Sequence, residues 1–118
     1  MQADRFNDGK PELSYILTFP NAIKELAQVM MYGAGKYARG NYLKGAPQSQ
    51  YADSGLRHKT AFLNGEDRDP ESGRHHLAHE LFNVLMALEM ALTKPEFDDR
   101  MIPKDEQGQQ ETTDTNPF

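Results

Sequence analysis

Residues 69–95 read DPESGRHHLAHELFNVLMALEMALTKP, and this stretch decides the fold. Leu77, Leu81, Leu85, Leu88 and Leu92 recur at three- and four-residue steps, one apolar stripe on a helix. Asp69 reads as the N-cap and Pro70 as the first helical residue, where its missing N–H is harmless. Thr93-Lys94-Pro95 closes the element. Working upstream, a second helix is predicted from Asp53 or Ser54, both good N-caps, to Asn64, with Gly65 as its stop. The stretch from 40 to 50 is read as a loop. A first helix is predicted from near Pro20, with Ile23, Leu26, Met30 and Ala34 on its buried stripe. Gly33 and Gly35 weaken its end, and the chain leaves it at Tyr37-Ala38-Arg39-Gly40.

Arg5-Phe6-Asn7-Asp8-Gly9-Lys10-Pro11 is turn chemistry, so the chain opens on a long loop. The apolar patch Leu13, Tyr15, Ile16, Leu17 and Phe19 is expected to dock that loop on the body. At the other end, residues 103–118 hold no Leu, Ile, Val or Met and carry four acids against one Lys. They are read as a disordered, flexible acidic tail. No strand-like alternation and no internal repeat is present. The expected fold class is all-α, a compact bundle of about three principal helices in a single domain, 1–102, followed by the tail.

A chain of 118 residues and 13.4 kDa has room for one modest core. Leu, Ile, Val and Phe together number 22, and the mean hydropathy is −0.78, so that core is thin. Pairing of subunits through helix faces would complete it, and a homo-oligomer is expected. The tail contributes −3 of the net charge of −5, leaving a nearly neutral body without the basic face that duplex DNA requires. The absence of cysteine excludes a disulfide scaffold, Cys-based zinc sites and a Cys nucleophile. No apolar run approaches the ~18 residues that span a bilayer, so no membrane partner is expected. Met1-Gln2-Ala3-Asp4-Arg5 lacks the basic and apolar regions of a signal peptide, which points to the cytoplasm.

All four histidines fall between His58 and His79, in a window that also holds Glu66, Asp67, Asp69 and Glu71. On the third helix His76, His79 and Asn83 follow i, i+3, i+7 and share one face, placed beside the leucine stripe. His58 sits two turns before Gly65 and is positioned to face the start of the third helix. Oxygen and nitrogen ligands converging from two helices and a loop suit Mg²⁺, Mn²⁺ or another divalent first-row ion. Plainer roles compete: acids near a helix start stabilise its dipole, and a histidine beside an apolar stripe is often a hydrogen-bonded core residue. His75 is rotated away and reads as solvated.

A second group suits an anionic ligand. Lys36, Tyr37, Arg39, Asn41 and Lys44 lie in or beside a glycine-rich loop, with Arg5, Asn7 and Lys10 near the N-terminus. Lys and Arg give charge-assisted bonds to phosphate oxygens, and glycines admit close backbone approach. A cationic loop together with a carboxylate-rich metal site is what a nucleoside triphosphate requires. No phosphate-loop, dinucleotide-binding or serine-triad motif is present; Gly33-Ala34-Gly35-Lys36 lies inside a helix and follows no strand.

Several successions carry a family resemblance: Arg5-Phe6-Asn7…Gly9-Lys10-Pro11, Gly33-Ala34…Lys36-Tyr37…Asn41-Tyr42…Lys44-Gly45, and Asp53-Ser54…Arg57-His58. They continue as Gly65-Glu66-Asp67…Asp69-Pro70-Glu71-Ser72-Gly73 and His76-Leu77…His79…Asn83. Over about residues 5–90 the chain resembles the dATP/dGTP diphosphohydrolase family of small tailed-phage proteins, itself distantly similar to MazG-like all-α pyrophosphohydrolases. The paired ExxE and ExxD carboxylate motifs of the latter are not matched. Gln28 stands where a second Glu would follow Glu25, and the later helix offers His76, His79 and Asn83.

The resemblance implies a metal-dependent hydrolase that cuts dATP or dGTP to the monophosphate and diphosphate in control of phage nucleotide pools. In that reading His58, Glu66, Asp67, His76 and His79 supply the ligands of a divalent ion, Mg²⁺, Mn²⁺ or Co²⁺, that activates water. Glu66, Asp69 and Glu71 are the catalytic carboxylates, with Asp69 or Glu71 taking the proton. Lys36, Lys44, Lys10 and Arg5 neutralise the polyphosphate, and Asn7 or Asn41 reads the base. Tyr37, Arg57 and Asn83 complete the substrate site. The alternative is a non-catalytic phage protein that binds and sequesters a nucleotide signal through the same cationic loop, without needing the metal.

Overall fold

The computed structural model describes residues 1–101, so the tail expected at 103–118 lies outside the described residues. Three helices make the body: α1, Pro20–Lys36; α2, Gln48–Leu63; and α3, His76–Thr93. Short 3-10 turns lie at Leu13–Thr18, Asn41–Lys44 and Pro95–Phe97. There is no strand among the described residues, only an isolated bridge between Arg68 and His75. No helix there is long and apolar enough to cross a membrane. The fold is all-α, with α3 packed against both α2 and α1.

α1 begins and ends where the sequence places it, with Pro20 in its first turn and Tyr37 as its C-cap. α2 starts five residues before Asp53. Pro47, with φ −59° and ψ 149°, delivers the chain into the helix, and Asp99 Oδ1, fifty residues away, accepts from the Ser49 N–H at 2.9 Å. A cap supplied at that separation leaves no local signal. Gly45 has to be glycine: its φ is +80°, and a Cβ there would lie 2.5 Å from Met90 Sδ and 2.8 Å from Phe97 Cε2.

α3 starts at His76, not at Asp69 and Pro70. Asp69 Oδ1 accepts from the Glu71 N–H at 2.9 Å, and Asp69 O accepts from the Gly73 N–H at 2.7 Å. Gly73, at φ +72°, turns the chain back, so the Asp-Pro pair opens a turn and not a helix. The actual cap is His75, whose Nδ1 accepts from the Leu77 N–H at 3.0 Å while its ring lies against Phe62. His75 is therefore a structural residue and not a solvated one. None of the four acids lies in the first turn of α3, which removes the dipole-stabilising role considered for them.

The leucine stripe does not form the core. The buried apolar residues are Val29, Ala78, Met86 and Met90, joined by the buried polar His76 and Asn83. Leu81, Leu85, Leu88 and Leu92 are 41–71% exposed. At 100° per residue the row His76, His79, Asn83, Met86 and Met90 centres on the side opposite those leucines, not beside them. Gly55 explains the rotation, since a Cβ there would lie 3.5 Å from Asn83 Cβ, which marks a close approach of α2 to the polar row. The bonds that hold the row to α2 then turn the leucines outward. The N-terminal segment also departs from expectation. Residues 1–20 are exposed throughout, and the patch from Leu13 to Phe19 coils into a 3-10 turn beside α1 instead of docking on the body.

Candidate functional site

α2, the turn after it and the first turns of α3 bring the histidines together. The His58 and His79 rings stack at 4.3 Å between centroids, only 6° from parallel, and the His76 ring tilts against His58 at 5.1 Å. Asp69, carried by its tight turn, sets Oδ2 3.9 Å from His79 Nε2. Among the described residues, His58, Asp69 and His79 form a group whose ligand atoms all lie within 4.8 Å of one another. Two imidazoles and one carboxylate are the donor set of a divalent first-row ion.

A hydrogen-bonded chain stands behind this group. Glu66 Oε1 lies 2.6 Å from His76 Nε2, and His76 Nδ1 lies 2.8 Å from His58 Nδ1. With Glu66 accepting the Nε2–H of His76, the tautomer that carries its proton there lets His76 Nδ1 accept the Nδ1–H of His58. That assignment leaves the lone pair of His58 on Nε2. Burial holds both His58 and His79 below the ordinary imidazole value, so both favour the neutral, ligating form. Ser72 Oγ lies 2.7 Å from His79 Nε2 and accepts from the Arg74 N–H.

The expected ligands therefore divide. His58 and His79 sit in the group with Asp69, which the sequence reading took as a helix cap and a base but not as a ligand. Glu66 and His76 form the chain behind it. Asp67 offers its carbonyl to the His76 N–H, and its side chain is exposed. Glu71 is outside the group, accepting from Lys36 Nζ at 2.8 Å and Tyr32 Oη at 3.0 Å. These bonds hold its carboxyl below the ordinary range, and the Lys36 ammonium above its own. Tyr32 also sets its ring edge-on to His79, with centroids 6.3 Å apart.

One helical turn away lies a cavity of about 530 Å³ between the end of α1, the 3-10 turn at Asn41–Lys44, α2 and α3. Tyr37, Asn41, Arg57 and Asn83, which the sequence reading assigns to substrate binding, line it. Asn83 Nδ2 donates to Ser54 Oγ at 3.1 Å and to the His79 carbonyl at 2.9 Å, which ties the cavity wall to the histidine group. Lys44 is exposed, and its carbonyl accepts from Lys94 Nζ at 3.3 Å. Arg5, Asn7 and Lys10 ride on the exposed N-terminal segment and are not brought to the cavity.

Sequence reasoning missed Tyr32 and Ser72 as neighbours of His79, and Tyr51 and Phe82 among the aromatic walls of the cavity. The i, i+4 spacing of Tyr32 and Lys36 was the one available signal, since it stacks both over the same carboxylate.

The family profile described as dATP/dGTP diphosphohydrolase, N-terminal, matches residues 1–100. The dATP/dGTP diphosphohydrolase of Salmonella phage PMBT28 is 32% identical over 100 residues, which is 85% of this chain but 33% of that protein. The chain thus spans about a third of the length of this curated relative. No solved structure matches it. With the profile covering residues 1–100 of 118, the chain belongs to the dATP/dGTP diphosphohydrolase N-terminal family.

Proposed function

We propose that this chain is a metal-dependent nucleotide diphosphohydrolase that cleaves dATP or dGTP to dAMP or dGMP and diphosphate. The observation that carries the reading is the His58, Asp69 and His79 group, within 4.8 Å and one helical turn from a cavity of nucleoside size. The name of the phage relative supports the substrate class.

His58, Asp69 and His79 would hold the ion, and their donor chemistry fits it: two neutral imidazoles and one carboxylate, with the Glu66–His76 chain fixing the free lone pair of His58. A bound Mg²⁺, Mn²⁺ or Co²⁺ supplies positive charge for the triphosphate and acidity for the attacking water. Tyr37, Tyr42, Tyr51 and Phe82 give the base aromatic surface, and Asn41 offers its amide to a base edge. Arg57, beside His58 and on the cavity wall, places a guanidinium where phosphate oxygens would lie.

Water adds at the α-phosphorus, the bond from that phosphorus to its bridging oxygen breaks, and diphosphate leaves with the electron pair. The water proton goes to a carboxylate. Glu66 fixes His76 and Asp69 belongs to the group, so the role is given to Glu71, whose bonds from Lys36 and Tyr32 both fall on Oε1, with Oε2 to take the proton.

Ion-exchange chromatography of products, for each common nucleoside triphosphate with Mg²⁺, Mn²⁺ or Co²⁺, tests the reading. Monophosphate and diphosphate from dATP or dGTP are expected. Nucleotide binding without any product under every metal would overturn it in favour of a nucleotide-sequestering protein.

A further inference from the structure

α3 presents a coiled-coil seam to solvent. Leu81, Leu85, Leu88 and Leu92 follow 4-3-4 spacing, the a/d pattern of helices that pair, and Val84 widens the stripe. All five are 41–71% exposed, and no Lys or Arg occurs anywhere in α3. The N-terminal segment joins α1 beside the same edge, because Ala22 and Glu25 of α1 border a hollow shared with Leu77 and Leu81. Its turn adds Leu13, Tyr15, Ile16, Leu17 and Phe19, each 58–76% exposed. At roughly 100 Å² for each of these ten side chains, about 1,000 Å² of apolar surface is uncovered. A soluble monomer rarely leaves more than a few hundred Å² in one patch, and a stable interface takes about 800 Å² from each partner.

We propose that a second copy of this chain covers the leucine face of α3, the two seams pairing about a two-fold axis while the apolar turn at Leu13–Thr18 folds over the other copy. The chain's own tail is a poor occupant, since residues 103–118 contain no Leu, Ile, Val or Met. An anionic lipid surface fits no better, because α3 itself carries no Lys or Arg and Glu80 and Glu89 flank the stripe. An uncharged seam with a/d spacing is complementary to itself, as an isologous interface must be. Pairing there also leaves both histidine groups open, because they lie on the opposite face of α3.

Sedimentation equilibrium of the full 118-residue chain from 1 to 100 μM, an experimental range spanning ordinary dimer affinities, tests this. Twice the 13.4 kDa chain mass is expected. The double variant Leu85→Glu/Leu88→Glu should be monomeric with unchanged helical circular dichroism, since neither side chain is in the core of one copy. Leu63→Glu, exposed on α2 away from the seam, should stay dimeric. Ile16→Glu/Leu17→Glu should weaken the dimer at least about tenfold. A wild-type monomer at the top concentration, or a dimer that Leu63→Glu disrupts and Leu85→Glu/Leu88→Glu does not, overturns the proposal. An Ile16→Glu/Leu17→Glu dimer as tight as wild type overturns the part given to the N-terminal turn.

Discussion

The two faces of α3 reverse the ordinary arrangement. The inward face is polar over its first two turns, with buried His76 and Asn83 and half-buried His79 before Met86 and Met90 continue the row, while the face toward solvent carries the leucines. A polar face is buried at no net penalty only where each group finds a partner. His76 finds Glu66 and His58, and Asn83 finds Ser54 and the His79 carbonyl. The leucines outside stay 41–71% exposed within one copy. Periodicity therefore locates an apolar face but does not say whether the chain itself or a second molecule covers it.

The contrast breaks most sharply at His79. His79→Ala removes one of the three proposed ligands and should lower dATP or dGTP hydrolysis by roughly a thousandfold, about 4 kcal/mol of barrier. Asp69→Asn should match it closely, because the two act as one unit. A thermal-shift series separates this from misfolding: Mn²⁺ or Co²⁺ should raise the unfolding temperature of wild type and not of His79→Ala. Near-normal turnover in either variant would break the assignment of the group. Glu66→Gln should do less. It keeps a hydrogen-bond partner for His76 but removes the charge that fixes the tautomer, so metal affinity should fall about 10–100-fold, read by isothermal titration with Co²⁺.

The faces can also be compared by stability alone. Asn83→Leu strips partners from Ser54 and the His79 carbonyl and places a larger side chain against Gly55. It should destabilise the fold by about 1–3 kcal/mol in urea melts. Leu92→Gln, on the outer face, should change the melt of dilute monomer by no more than about 0.5 kcal/mol. Equal costs at the two positions would mean that the outer face is packed after all.

Much of this was legible in the sequence. Pro20, the Ile23 to Ala34 stripe and the Gly65 stop are local signals, and α1 and the end of α2 follow them. The His76, His79, Asn83 row was legible because its spacing is fixed by the helix itself. The start of α2 was not, since Ser49 is capped by Asp99 from fifty residues away. The start of α3 was misread because Asp-Pro serves a helix start and a turn equally well, and Gly73 decides between them by its positive φ. Glu66 and Asp69 stand three residues apart in one acidic run. Only the fold of residues 66–75 sends one to His76 and the other to His79.

The smallest effect, and the one that tests the buried polar face without any substitution, is the response to acid. His58 and His79 are held below 6.5 first by burial, with repulsion from neighbouring charge adding to it and Asp69 acting against it. Well above 6.5 these rings are neutral folded or unfolded, and they add no pH dependence. As pH falls below 6.5 the unfolded chain takes up protons on both imidazoles while the folded chain resists. Stability must therefore decline in that window, with the loss complete once pH passes below the folded-state values. Glu71 adds in the same direction lower down: its carboxylate, held by Lys36 and Tyr32, gives stability present above 4.5 and lost as pH falls through its depressed folded value. The unfolding temperature in metal-free buffer should be flat from pH 8 to 7, an experimental span above the free imidazole range, and then fall by a few degrees as the rings titrate. His58→Phe, which removes one of the two rings, should flatten the upper part of that decline. A wild-type profile that stays level below 6.5 would mean that the stacked rings accept protons in place. The polar face would then be solvated through the gap between α2 and the turn at Asp69, and the contrast between the two faces of α3 would be one of chemistry and not of burial.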